Sequence, residues 1–343
     1  MTEKHRIVVA GCGGMANAWV KHVLGRSDAE LAGFMDIRLD AAEKLARDYS
    51  LDVPVFTDLR KAIANTKATL VFDVTIPAAH RDTAITAMEL GCDVFTEKPL
   101  AETLEEARQS VGVARRTGRL YAVMQNRRYL KRMRAAQEFI ASGQLGRVGM
   151  ANVDFFIGTH FGGFRDAMAS PLLRDMALHT FDQARFLTGA DAVRGYTREF
   201  NLPGSWYAGN ASAVCVFDMS DGSVLCYRGS WSSEGFATSW EGDWRVIGSL
   251  GTLLWVGDEM PRAQLIEPVE GTIPFHRPMK EIPLDSQWQG REGHDGCLDD
   301  MFDALNRGIA PMTVCYDNIK SLAMVDAALE SARLGVPVDV ANA

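Results

Sequence analysis

The sequence predicts an α/β protein with two parts: a doubly wound parallel sheet in the first third and a large, mostly antiparallel sheet in the remainder. Three observations lead there. Short apolar runs alternate with helical patterns from residue 6 to about 123. A glycine-rich turn joins the first apolar run to the first helix. From residue 148 onward, strand-like runs follow one another without helices between them.

Residues 7–10 form a short apolar run, as suits a parallel strand buried on both faces. The following helix carries Met15, Trp19, Val20, Val23 and Leu24 on one face and stops at Gly25. Residues 31–35 read as the second strand, ending at Asp36. Asp40 and Glu43 have capping-box spacing at the start of the next helix. Residues 53–56, 70–74, 92–95 and 120–123 supply further strands. Pro77 suits the first turn of a helix that stops at Gly91. Thr103 and Glu106 make a second capping box, and that helix stops at Gly118.

At 343 residues the chain is long enough for about two domains. Its 47% hydrophobic and 23% charged residues exclude a largely disordered chain. A net charge of −8 argues against nucleic acid or anionic membrane as the main partner. No run approaches the roughly 18 apolar residues of a membrane span, and the apolar run near the N-terminus is too short for a signal-peptide core. The six cysteines form no C-x-x-C pair and have no zinc-ligand spacing to a histidine. They read as reduced thiols of a cytoplasmic protein, with no metal expected.

The turn Gly11-x-Gly13-x-x-Ala16 lies between a strand and a helix, the context that a dinucleotide fingerprint requires. Gly11 permits the tight turn, Gly13 lets backbone approach a pyrophosphate, and the small residue at 16 lets helix pack on strand. The helix N-terminus then faces the phosphates. Asp36, at the end of the second strand, can accept hydrogen bonds from both ribose hydroxyls and would repel a 2′-phosphate, which favours NAD. Arg38 could instead pair with that phosphate, so NADP stays possible.

Three further segments extend the pattern: Glu97-Lys98-Pro99 after the fifth strand, Gln125-Asn126-Arg127 after the sixth, and Asp175-x-x-x-His179. Together with Gly11–Ala16, in this order, they make the whole chain resemble the glucose-fructose oxidoreductase/inositol dehydrogenase/rhizopine-catabolism (Gfo/Idh/MocA) family. The resemblance implies a Rossmann domain followed by an α/β domain with an open antiparallel sheet. It also implies hydride transfer between NAD(P) and a sugar, cyclitol or related polyol, in a homodimer or homotetramer paired through the C-terminal sheet. The domains are expected at 1–125 and 126–343.

The candidate catalytic residues are Lys98, Asp175 and His179. Lys98 lies at the C-terminal edge of a parallel sheet, where ligands bind, and its charge would stabilise a developing alkoxide. Asp175 and His179 are four residues apart and so share one helix face. His179 can take a hydroxyl proton, and Asp175 can bond a substrate hydroxyl or orient the imidazole. The candidate cofactor contacts are Gly11, Gly13, Gly14, Met15, Asp36, Ile37, Arg38, Thr75, Pro77, His80, Glu97, Lys98 and Asn126. Candidate substrate contacts are Lys98, Arg127, His160, Arg165, Asp175 and His179, with His294 a further candidate. The chain departs from the family pattern before Asp175. It has Ser170-Pro171-Leu172-Leu173-Arg174 where a Gly-rich stretch is usual, and Ala177 where Gly is common.

In the second part, Leu130, Met133, Ala136, Phe139 and Ile140 mark a helix that stops at Gly143. Residues 148–157, 193–200, 212–218, 224–231, 244–247 and 252–256 read as strands, with Asp221-Gly222 a hairpin turn, and 292–307 and 318–334 as helices. Most of its tryptophans read as packing or interface. Two other functions compete with the dehydrogenase. A catalytically silent regulator would be expected to lose Lys98 or His179, and an imine- or acyl-directed reductase does not predict E-K-P with D-x-x-x-H.

Overall fold

The computed structural model describes residues 4–341, which divide into two compact units. The first runs to Asn126 and takes in Gly293–Leu322; the second is Arg127–Glu292 with residues 323–341. A single boundary at 125/126 therefore needs a correction, because residues 293–322 belong with the first unit.

The first unit alternates β1 (His5–Ala10), α1 (Ala16–Leu24), β2 (Ala29–Met35), α2 (Leu39–Asp48), β3 (Val55–Phe56), α3 (Leu59–Thr66), β4 (Leu70–Asp73), α4 (Pro77–Glu89), β5 (Asp93–Thr96), α5 (Leu104–Thr117) and β6 (Tyr121–Val123). Its six strands are all parallel, in the order β3-β2-β1-β4-β5-β6. The order reverses between β1 and β4, so their C-terminal ends flank the switch-point crevice. The Thr103–Glu106 capping box forms. The one expected at Asp40 does not, because α2 begins at Leu39 with Arg38 at its cap and Asp36 already holds the Arg38 amide.

Residues 293–322 join the first unit for a physical reason. Phe302 packs edge-on against Phe72 of β4 and Phe95 of β5, with centroids 6.0 and 5.3 Å apart. It lies on α8 (Gly293–Arg307). Residues 313–314 pair with β6, and the Val123 amide donates to the Thr313 carbonyl at 3.0 Å. Neither partner is visible from local periodicity.

The second unit contains α6 (Lys131–Ala141), β7 (Val148–Phe156), a π-helical turn (Leu172–Ala177), α7 (Leu178–Thr188), β8 (Ala192–Phe200), β9 (Ser212–Met219), β10 (Val224–Ser230), β11 (Asp243–Gly248), β12 (Gly251–Trp255), β13 (Arg262–Ile266) and β14 (Met279–Pro283). After α8 come α9 (Cys315–Leu334), inside which the two units divide, and β15 (Val338–Asp339). The nine-stranded sheet has the order β14-β13-β12-β11-β7-β10-β9-β8-β15 and is antiparallel except where β7 meets β10. β13, β14 and β15 escape the sequence reading: they are short, lie towards or at the sheet edges, and bury too little to show strict alternation. One face of the sheet is packed, with Phe155, Phe217, Tyr227, Trp244 and Trp255 in the core beside Phe181 of α7. Side chains of the other parity remain exposed, among them Tyr196, Val214, Val216 and Ile247. Among the described residues, no helix is long and apolar enough to cross a membrane.

A bidentate ion pair anchors α7: Arg128 donates to both carboxylate oxygens of buried Asp182, at 2.7 and 2.6 Å. Removing one partner of such a pair leaves an uncompensated charge. Asp182→Ala is therefore expected to destabilise the second unit by about 3–5 kcal/mol, measured by urea denaturation. A loss near zero would show that the pair contributes nothing net.

Candidate active site

The first unit presents its site at the C-terminal ends of β1, β2, β4 and β5. Gly11 has φ +88, and a Cβ there would lie 2.5 Å from the Val74 carbonyl oxygen, so only glycine fits. Gly13 and Gly14 are the opposite case, since a Cβ at either would meet no protein atom within 4 Å. The turn thus leaves an open cradle in front of α1. That helix has no side-chain N-cap and no acidic residue in its first turn, which suits an anion.

Asp36 stands beside the cradle. Its Oδ2 accepts the Cys12 amide at 2.8 Å and its Oδ1 accepts the Arg38 amide at 2.9 Å. Two backbone donors fix the carboxylate plane and leave further lone pairs for hydroxyl donors. Burial, then the Asp36 charge, pushes the Cys12 thiol up to about 12, so it is no nucleophile at neutral pH. Met15 and Ile37 are exposed, as is Ile76, which sequence reasoning missed; it lies between Thr75 and Pro77. A large apolar side chain in a strand-to-helix turn at this sheet edge was the available signal.

Beneath the β4–α4 turn lies a buried polar network. The Asp73 carboxylate accepts bonds from Thr75 Oγ1 (2.6 Å), the Thr75 amide (3.2 Å) and Thr96 Oγ1 (3.1 Å), and lies 2.9 Å from His80 Nδ1. Burial alone would lower the His80 pKa, but Asp73, its hydrogen bond and Glu97 hold it above the ordinary value. The structure places His80 in the core, with no exposed surface, where it braces the turn carrying Thr75 and Pro77.

Glu97 is also buried. Its Oε1 accepts the Trp19 indole N–H at 2.8 Å, and its Oε2 accepts the Lys98 amide at 3.2 Å. Lys98 follows directly beyond β5, half-buried, before a cis bond to Pro99. His294 of α8 lies 4.0 Å from Glu97 and accepts or shares a bond with Asn126 at 3.4 Å. Trp19 and His294 thus join Glu97, Lys98 and Asn126 in one group, and Trp19 had read as helix-face packing alone.

In the second unit, Asp175 lies on the π-helical turn and His179, buried, in the first turn of α7. Asp175 and His179 thus straddle the change from π-helical to α-helical winding, and four residues complete about one turn in either. The segment before Asp175 is apolar packing: Leu172 and Leu173 are fully buried. Arg165 donates from Nε to Asp175 Oδ2 at 2.6 Å. The Arg127 guanidinium donates to the Trp240 carbonyl and, at 3.6 Å, to Met176 Sδ; burial lowers its pKa to about 10. His160 stacks on Trp206 at 3.7 Å and pairs with Glu234, on exposed surface. Among the described residues, no three His, Cys, Asp or Glu side chains group as metal ligands.

The fold and the cradle define a dinucleotide-binding α/β protein with a second, sheet-based domain. Residues 5–125 match the domain described as "GFO_IDH_MocA: Oxidoreductase family, NAD-binding Rossmann fold", and residues 133–254 match the "GFO/IDH/MocA C-terminal domain". The chain belongs to the Gfo/Idh/MocA oxidoreductase family and has its NAD-binding domain. It is 26% identical to the scyllo-inositol 2-dehydrogenase (NAD(+)) of Bacillus subtilis (strain 168), with 99% of this chain and 97% of that protein covered. It is 27% identical to the D-glucoside 3-dehydrogenase of Escherichia coli (strain K12) over only 55% of each, about half the length of that relative. An oxidoreductase from Agrobacterium radiobacter, solved with NAD+, L-tartaric acid and magnesium, shares the fold at a TM-score of 0.85, with 20% identity and 98% of both chains covered.

The open space at Gly13 makes a clean test. Gly13→Val is expected to fold normally, because its Cβ meets no protein atom within 4 Å. It should raise the NAD dissociation constant at least about tenfold by filling the cradle, as isothermal titration calorimetry would report. Unchanged affinity would place the pyrophosphate elsewhere.

Proposed function

We propose that this protein is a dehydrogenase that transfers a hydride between NAD and a secondary alcohol or ketone of a sugar, cyclitol or related polyol. The observation that carries this reading is the Asp36 carboxylate, locked by two backbone amides beside an open glycine turn, in a chain that also keeps Lys98, Asp175 and His179. The names of the inositol and glucoside relatives support the substrate class.

Gly11, Gly13, Gly14 and Met15 would take the pyrophosphate, and Asp36, Ile37 and Arg38 the adenosine ribose side. Thr75, Pro77, Glu97, Lys98 and Asn126 would border the nicotinamide end, with His80 acting from beneath through Asp73. When bound, the nicotinamide supplies the hydride acceptor or donor. Lys98 places positive charge where alkoxide character develops. His179 takes the hydroxyl proton, and Asp175 bonds a substrate hydroxyl or holds the imidazole. Arg165 orients the Asp175 carboxylate through its Nε–H. Arg127 and His160 are the further substrate contacts. The exposed apolar residues of the open sheet face suit pairing with a second copy, as a homodimer or homotetramer. Free cysteines at every position suit a cytoplasmic setting.

Reduction of NAD, followed at 340 nm against a panel of cyclitols, aldoses and glycosides, tests the proposal directly; no turnover with any of them would defeat it. Asp36→Ala is expected to weaken NAD binding and relax exclusion of the 2′-phosphate, so the NADP/NAD affinity ratio should rise. Tighter NADP binding by the wild type, abolished in Arg38→Ala, would make Arg38 the reader instead. His179→Ala should lower kcat by about 10²–10⁴ with little change in NAD affinity. Near-wild-type turnover would withdraw the base from His179.

A further inference from the structure

A closed circuit of side chains surrounds the Asp175–Met176 step of the π-helical turn, and all of it lies in the second unit. Arg165 holds Asp175 at 2.6 Å, and its guanidinium carbon lies 5.0 Å from the Phe161 ring centroid and 4.8 Å from that of Phe164. Phe161 in turn lies 6.4 Å from Trp240. The Trp240 carbonyl accepts from Arg127, which reaches back to Met176 Sδ at 3.6 Å.

Three rings of this circuit reach solvent: Phe164 is 67% exposed, Trp240 45% and Phe161 38%. They are nonetheless held from below. Phe161 packs on Trp231 at 5.0 Å, and Trp231, itself buried, packs on Tyr207 at 6.2 Å. A braced, exposed aromatic group on the loops after β7 and β10 marks a ligand surface.

The order of chemistry outward from Asp175 identifies the occupant. A carboxylate comes first, then a guanidinium, then rings with no hydrogen-bonding group but the Trp240 indole N–H. A free hexose or inositol can lay its C–H face on one ring, but with its hydroxyls at the carboxylate and guanidinium it leaves the other rings of the group uncovered. A glycoside with an apolar aglycone matches the order, with its sugar hydroxyls at the polar end and the aglycone on the rings. We propose that Phe161, Phe164 and Trp240 form an aglycone subsite, so that the substrate is a glycoside bearing an aromatic or other apolar substituent. This deepens the preceding reading and rests on it.

The test compares phenyl and methyl β-D-glucopyranosides, with the corresponding galactoside and α-mannoside pairs. For each pair, kcat/KM is measured with NAD, and the dissociation constant by calorimetry in the presence of NADH. The wild type is expected to favour the phenyl member of at least one pair by about tenfold or more. Phe164→Ala and Trp240→Ala should each cut that preference to below about threefold, with the methyl glycoside changing less than about twofold. Trp240→Phe should retain most of the preference. Turnover of methyl glycosides with no phenyl preference in the wild type overturns the subsite and leaves the dehydrogenase standing. Absence of binding and turnover for every pair overturns the subsite, while oxidation of a free cyclitol or aldose in the same assay would keep the dehydrogenase reading. Unchanged selectivity in both alanine variants, with a changed sedimentation coefficient, would assign the rings to a contact between copies and likewise overturn the subsite.

Discussion

The close approach of Gly11 to Val74 is the constraint on which the first unit's site depends. With φ +88 and room for no Cβ, residue 11 lets the end of β1 turn directly against the end of β4, where the sheet order reverses. Everything at the crevice follows from that turn. It opens the cradle at Gly13 and Gly14, starts α1 without a side-chain cap, and delivers the Cys12 amide to Asp36. A side chain at 11 would push β1 from β4 and displace all three together.

Buried polar groups then set the details, through partners both near and distant in the chain. Asp73 gathers Thr75, His80 and Thr96 beneath the β4–α4 turn. Glu97 gathers the Trp19 indole and the Lys98 amide beyond β5. In the second unit, Arg128 and Asp182 fix α7, which carries His179. A buried charge is costly unless paired, so each group permits few arrangements of the backbone around it. That restriction positions the half-buried Lys98 and the buried His179 on rigid support rather than on free loops.

The π-helical turn at Asp175 reflects a trade between packing and a regular helix. Where the family usually has a Gly-rich stretch, this chain has Pro171, Leu172 and Leu173, all buried in the core. Burying those side chains contributes stability, while the widened turn leaves Asp175 partly exposed and in reach of Arg165. Arg165 then links the carboxylate to the aromatic group on the neighbouring loops.

The sequence by itself determined the parallel sheet, the glycine turn, Asp36 at the end of β2 and the capping box at Thr103, because each rests on contacts within a few residues or on a period along one element. It also gave the order of the family motifs, and hence Lys98, Asp175 and His179 as candidates. Only the tertiary structure decided that residues 293–322 join the first unit, that α2 starts at Leu39, that His80 is buried on Asp73, and that Trp19 and His294 meet around Glu97. It alone showed the π-helical geometry at Asp175 and the edge strands β13 to β15. Periodicity and caps record regular near-neighbour interactions, whereas these features depend on side-chain bonds that follow no period, or on packing against residues far away in the chain, as Phe302 does on Phe72 and Phe95.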